Sequence, residues 1–177
     1  MRILYLFSLS FCLNFLIHPQ LQAQSTQEYS SDYDLKWKKY KSKEFSFKCK
    51  LPLEHQVKIT EDIFGKELQL SSEHNFLSFF IYARKHKNDL SEEDPEDMSI
   101  DATYNFSNAM EGELVYMRGT EHSGVVGHES RMKLENDMQA RYAVFFKDQM
   151  QYQLVMVFLS DESEKYFHKM LKKLKFK

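Results

Sequence analysis

The chain has 177 residues, 42% hydrophobic and 15% aromatic, enough to bury a sizeable core in one globular domain. Its formal net charge of −2 gives no bulk electrostatic reason to bind nucleic acid. With only Cys12 and Cys49, it is no disulfide-dense scaffold.

Met1-Arg2 is a short basic start, and Ile3 to Ile17 is an apolar run broken only by Ser8, Ser10 and Asn14. His18-Pro19-Gln20-Leu21-Gln22-Ala23-Gln24 follows. This pattern predicts a secretory signal peptide over residues 1–23, cut after Ala23, and a periplasmic or secreted bacterial protein. Cys12 lies mid-run behind Phe11, so it is read as part of the apolar segment and not as a lipid-attachment cysteine. Cys49 is then alone in the mature chain, which forms no intramolecular disulfide. Residues 24–36 are expected to be a flexible polar leader, and 37–177 a single domain.

Phe45, Phe47, Cys49 and Leu51 alternate with Ser46, Lys48 and Lys50, which predicts a half-buried strand that Pro52 ends. Cys49 falls on its apolar face and reads as an inert core thiol. Val57, Ile59 and Ile63 mark a second strand, Leu68 and Leu70 a third. Residues 71–75 are expected to turn into 76–83, a strand apolar on both faces and hence central in a sheet. Asp94-Pro95 predicts a helix start with Asp94 at the cap. Met98, Ala102, Phe106, Ala109 and Met110 share a helical face, and Gly112 is the expected stop. Leu114 to Thr120 and Val125 to Leu134 read as a strand pair, with Gly127 as a bulge position.

The last forty residues carry the strongest pattern. Strands over 138–146 and 150–159 are apolar on their even positions and mixed on their odd ones. Matching even face to even face predicts an odd-length loop around Lys147 to Gln149, with Asp148 suited to a left-handed position. Ser160 or Asp161 is expected to cap a helix running to the C-terminus, with Phe167, Met170, Leu171 and Leu174 as its inward stripe. Lys169, Lys172, Lys173 and Lys175 are read as its solvated face; membrane-surface binding through them would require salt-sensitive vesicle co-sedimentation.

Strands apolar on both faces, with two helices to cover them, predict an α+β fold. It should be an antiparallel sheet of about six to seven strands with helices packed on its faces, an α/β/α sandwich. The densest polar constellation is Glu121, His122, His128 and Glu129. A hairpin can gather these side chains as zinc ligands. But the spacing Glu-His-x5-His-Glu is no known ligand pattern, strand alternation separates neighbours, and exposed turn residues are the preferred reading. Nucleophile elbows, phosphate loops, dinucleotide fingerprints and His-Glu-x-x-His are absent from the sequence. No catalytic, cofactor or metal residue is assigned.

Phe45-Ser46-Phe47-Lys48-Cys49-Lys50-Leu51-Pro52 at the start, and Tyr166-Phe167-His168-Lys169-Met170-Leu171-Lys172-Lys173-Leu174-Lys175-Phe176 at the end, resemble the PsbP-like superfamily. The resemblance spans about Tyr40 to Lys177 and implies an α/β/α sandwich with an antiparallel sheet. Its branches include photosystem II lumenal subunits, a nuclear Ran-binding factor and small bacterial envelope lipoproteins. The superfamily shares a fold and not an activity. The expectation is a non-catalytic accessory or binding domain, its partner an envelope or secreted protein or a small ligand. Neither nucleic acid nor a stable membrane span is expected of the mature chain. An unrecognised hydrolase or metal-dependent envelope enzyme is the alternative.

Overall fold

The computed structural model describes residues 36–52, 55–74 and 77–177, with the backbone alone for His74 and Glu162. The predicted signal peptide and nearly all of the leader lie outside the described residues. In chain order the elements are β1 (Trp37–Ser42), β2 (Phe47–Pro52), β3 (Gln56–Glu61), β4 (Gly65–His74), β5 (Leu77–His86), α1 (Pro95–Ala109), β6 (Glu113–His122) and β7 (Val125–Lys133). Then follow β8 (Gln139–Lys147), β9 (Met150–Phe158), a 3-10 turn (Asp161–Ser163), α2 (Glu164–Lys173) and β10 (Lys175–Phe176).

Seven strands form one antiparallel sheet in the order β3-β4-β5-β9-β8-β7-β6. The strands that are apolar on both faces, β5, β8 and β9, lie inside it, where both faces can be covered. One face packs on α1, where Met98, Ala102 and Phe106 meet Phe80, Tyr142, Val144 and Val155. The other packs on α2 and on a small sheet of order β1-β2-β10, where Phe47, Cys49, Phe167 and Met170 meet Phe79, Ile81, Phe145 and Tyr152. The architecture is the expected α+β sandwich, but β-structure shares the second covering layer with the helix.

Five local expectations are corrected. The β8–β9 hairpin has a two-residue loop, because Lys147 pairs with Met150 and Phe145 with Tyr152. Odd positions of β8 therefore share a face with even positions of β9. Both faces are apolar enough to be buried, so hydrophobicity alone does not choose between adjacent registers. Asp148 takes the left-handed position, at φ 53. The terminal helix stops at Lys173, and Phe176 pairs with Phe47 to close the small sheet. Residues 71–74 extend β4 and are not a turn. The bulge of the β6–β7 pair lies between Leu114 and Tyr116, not at Gly127. Gly127 instead permits a close approach, since a Cβ there would lie 2.1 Å from the Val144 carbonyl oxygen.

The fifth correction concerns the end of α1. The left-handed residue is Glu111, at φ 50, not Gly112. Gly112 N–H donates to Ser107 O (3.0 Å) and Glu111 N–H to Asn108 O (3.2 Å), the Schellman pattern. At the start of the helix the expectation holds: Asp94 Oδ1 accepts from Glu96 N–H at 2.8 Å, with Pro95 in the first turn.

Candidate functional site

The four residues singled out from sequence are not brought together. Glu121 and His122 end β6, and His128 and Glu129 lie inside β7, so they are strand residues and not turn residues. Alternation sends the two histidines to opposite faces of the sheet. His122 faces α2, where its Nε2 lies 2.7 Å from Leu174 O, one of the carbonyls left open at the helix end. His128 faces α1 and is buried, with Nδ1 2.7 Å from Ser99 Oγ. Glu129 is buried beneath α2, whereas Glu121 is exposed. Among the described residues, no three His, Cys, Asp or Glu side chains converge as a metal site.

The structure instead assembles an arginine–glutamate lattice between β6, β7, β8 and the first turn of α2. Arg141 is its centre, only 1% exposed. Its guanidinium carbon sits 5.3 Å from the Tyr116 ring centroid and 5.0 Å from that of Phe167, held between two aromatic faces. Arg141 Nη1 pairs with Glu164 Oε1, and its Nη2 lies 3.4 Å from Glu129 Oε1. That second contact is an ion pair without hydrogen-bond geometry, since Nε and Nη2 make no hydrogen bond. Glu129 is also held by Arg118, whose Nε donates at 2.6 Å. Arg131 donates from Nε to Gln139 Oε1 at 2.8 Å and from Nη2 to Asp161 Oδ1 at 2.6 Å. Asp161 is thus an anchor for Arg131, not the helix cap expected of it. Ser160, the other candidate, makes no side-chain cap either.

Three arginines face three acids, so the lattice is formally neutral. Its geometry docks the N-terminus of α2, where carboxylates also meet the positive end of the helix dipole. His168 stands exposed nearby. Partial burial, then the charge of Arg141, and further Arg118, hold its imidazole below the ordinary value, with Glu129 opposing. The sequence does show one sign of this lattice. Arg141 is a lone charge in the middle of a strand otherwise apolar or uncharged from Met138 to Phe146. Its partners come from three other elements, and nothing local announces them.

The second polar cluster lies under α1. Ser99, Thr103 and Ser107 recur every four residues on the buried side of the helix. Thr103 Oγ1 donates to Ser99 O at 2.8 Å, and Ser107 Oγ donates to Gly112 O at 2.8 Å. Burial holds the His128 imidazole below its usual value, with Glu96 opposing. A serine beside a histidine has the makings of a nucleophile and its base. Here Ser99 is fully buried, so its hydroxyl cannot meet a substrate in this arrangement. Cys49 is likewise turned into the core, 3% exposed, and burial pushes its thiol up to about 12. A thiol so protonated is a poor nucleophile at neutral pH.

The described surface carries an apolar strand edge at β3. On β3 every residue is exposed; Val57 and Ile59 are each 51% accessible, and the adjoining loop adds Ile63 at 80% and Phe64 at 43%. Among the described residues β3 pairs with β4 alone.

No family model matches the chain, and no curated protein matches it. Among solved structures, the fold is similar to the solution structure of cyanobacterial PsbP (CyanoP) from Synechocystis sp. PCC 6803. That match has a TM-score of 0.61 and 8% identity, and covers 89% of this chain and 99% of that one. A crystal structure from Bacteroides thetaiotaomicron VPI-5482 matches with a TM-score of 0.42 and 13% identity, covering 79% of this chain and 48% of that one. At 8% identity, the cyanobacterial likeness concerns the path of the backbone. The chain has the PsbP-like fold.

Proposed function

We propose that this chain is a non-catalytic accessory domain of the envelope or the secreted fraction, and that it acts by binding an extended segment of a protein partner. The observation that carries this reading is the open β3 edge. Its outer backbone N–H and C=O groups have no strand beside them among the described residues, and it presents Val57, Ile59, Ile63 and Phe64 to solvent. An edge with both backbone hydrogen-bonding capacity and apolar side chains suits strand addition. The polar clusters favour binding over catalysis: one is used to hold α2, and the other keeps its serine fully buried.

The test is affinity capture with the full chain from envelope and culture fractions of its host, beside the variant Ile59→Asp/Ile63→Asp. Both positions are exposed, so the variant should fold. A stoichiometric protein held by the native chain and lost by the variant is the expected result. Equal capture by both, or a thermal shift with metabolites but no protein partner, would overturn it.

A further inference from the structure

Residues 36–52 and 164–177 carry thirteen lysines and two glutamates, in a chain whose formal net charge is −2. These are the segments that form β1, β2, α2 and β10, which together make one covering layer of the sheet. The basic residues are therefore gathered on one side of the molecule. The opposite layer has the opposite sign: residues 88–113, which include α1, hold nine acids and no lysine or arginine.

The small sheet orders these charges. Phe47, Cys49 and Leu51 point inward and are buried, so Lys48 and Lys50 point outward. Lys39 lies directly opposite Lys50, and Lys41 opposite Lys48, which is also opposite Lys175. Strand geometry spaces such a lattice about 5 Å across strands and about 7 Å along them. Directly opposed like charges destabilise a sheet, so folding alone does not explain the arrangement. Crowding is felt at the chain end, where the close approach of Lys41, then its charge and those of Lys48 and Lys43, lower the Lys177 ammonium. Alongside, Lys165, Lys169, Lys172 and Lys173 are exposed on α2 opposite its buried Tyr166, Phe167 and Met170. Lys169 Nζ sits 4.8 Å over the Trp37 ring, joining the helix to the small sheet. The two acids are each paired with a cation: Glu44 with Lys66 at 2.6 Å, and Glu164 with Arg141.

From this juxtaposition we propose that the outer face of β1–β2–β10 and α2 docks the protein on an anionic lipid surface. The face is all lysine, without arginine. Lysine is a hydrated point charge suited to a diffuse array of anions, whereas arginine suits paired, bidentate recognition. The layer is broad, and its large aromatic rings are packed inward rather than laid open as stacking platforms: Trp37 packs on Phe79, and Tyr40 on Phe47 and His55. Basic clusters bind anionic leaflets by charge and lose that binding within a Debye length, about 8 Å at physiological salt. Docked this way, the acidic α1 layer points away from the membrane and the β3 edge stays at the side, free for its partner.

The test is co-sedimentation of the full chain with phosphatidylcholine vesicles, with and without about 30% phosphatidylglycerol. Two variants are compared, Lys39→Gln/Lys41→Gln/Lys48→Gln/Lys50→Gln on the face and Lys58→Gln/Lys85→Gln/Lys87→Gln/Lys133→Gln off it. Both keep the same N-terminal segment and lose the same charge, so neither can account for a difference between them. The native chain should bind the anionic vesicles and release from them as salt rises. The face variant should bind at least about tenfold more weakly, and the off-face variant within about twofold of native. Equal binding to both kinds of vesicle, equal loss in both variants, or binding to duplex DNA or polyglutamate with none to anionic vesicles would overturn the proposal.

Discussion

Arg131 and Arg141 stand directly opposite one another across β7 and β8, and one carboxylate, Glu164, reaches both. Opposed like charges repel, and here the Arg141 guanidinium is also almost wholly out of water. Glu164 is therefore the member whose loss leaves the worst imbalance. Glu164→Gln is expected to cost about 2–3 kcal/mol, because both arginines lose an acid and α2 loses its docking contact. Arg141→Met should cost less, about 1–2 kcal/mol, since Glu129 keeps Arg118 and Glu164 keeps Arg131. Urea unfolding of the two variants gives the order. If Arg141→Met is the more damaging, the packing of Arg141 between Tyr116 and Phe167 outweighs charge balance.

Among the described residues, three histidines are held below their ordinary value and bear on the pH dependence near neutrality. Burial is the first cause of a lowered value for His86, His128 and His168. An unfolded histidine titrates near about 6.5. Above that pH the imidazoles are neutral in both states and stability is unaffected by them. As pH falls below it, the unfolded chain takes up protons that the folded chain resists, so stability declines toward the lowered folded values. Thermal unfolding between about pH 7.5 and 5.5 should show a falling midpoint, and His128→Gln should flatten the slope. A midpoint constant across that range would show that the folded imidazoles titrate as in the unfolded chain.

The long periodic segments were legible from residue order because their burial is set by alternation. Met98, Ala102 and Phe106 lie where helical spacing puts them, and so do Phe167, Met170 and Leu174. What alternation cannot give is register between two strands that are apolar on both faces, and the Lys147–Met150 pairing was missed for that reason. Tyr166, only 6% exposed, escaped because a tyrosine adjoining charged residues reads equally well as surface. The lattice was hidden more deeply, and so was the union of the helix lysines with those of β1 and β2. Arg118, Arg141 and Glu164 are far apart in the chain, and β1 and β10 meet only through β2. Such sites exist only after the topology is known.

At the end of α1, Glu111 holds a left-handed conformation that costs a residue with a Cβ about 1–2 kcal/mol. The surrounding hydrogen bonds are of the kind that glycine usually serves. Glu111→Gly is therefore expected to stabilise the protein by about 0.5–1 kcal/mol, relief of strain being partly offset by the freer unfolded chain. Denaturant midpoints would record the gain. A loss would mean that the Glu111 side chain supplies more than the backbone strain removes.

Lys48 is flanked across the small sheet by Lys41 on one side and Lys175 on the other. A carboxylate at that point would turn two repulsions into two attractions. Cross-strand charge pairs are worth a few tenths of a kcal/mol to about 1, so Lys48→Glu should raise stability by about 0.5–1 kcal/mol at low salt. Near 1 M salt, where the Debye length is about 3 Å, the gain should largely disappear. The same substitution should weaken binding to anionic vesicles, because it places a negative charge at the centre of the lysine face. Stability and binding would then move in opposite directions in one variant. Destabilisation at low salt would instead show that the lysine stems pack on the sheet and that their mutual repulsion is negligible.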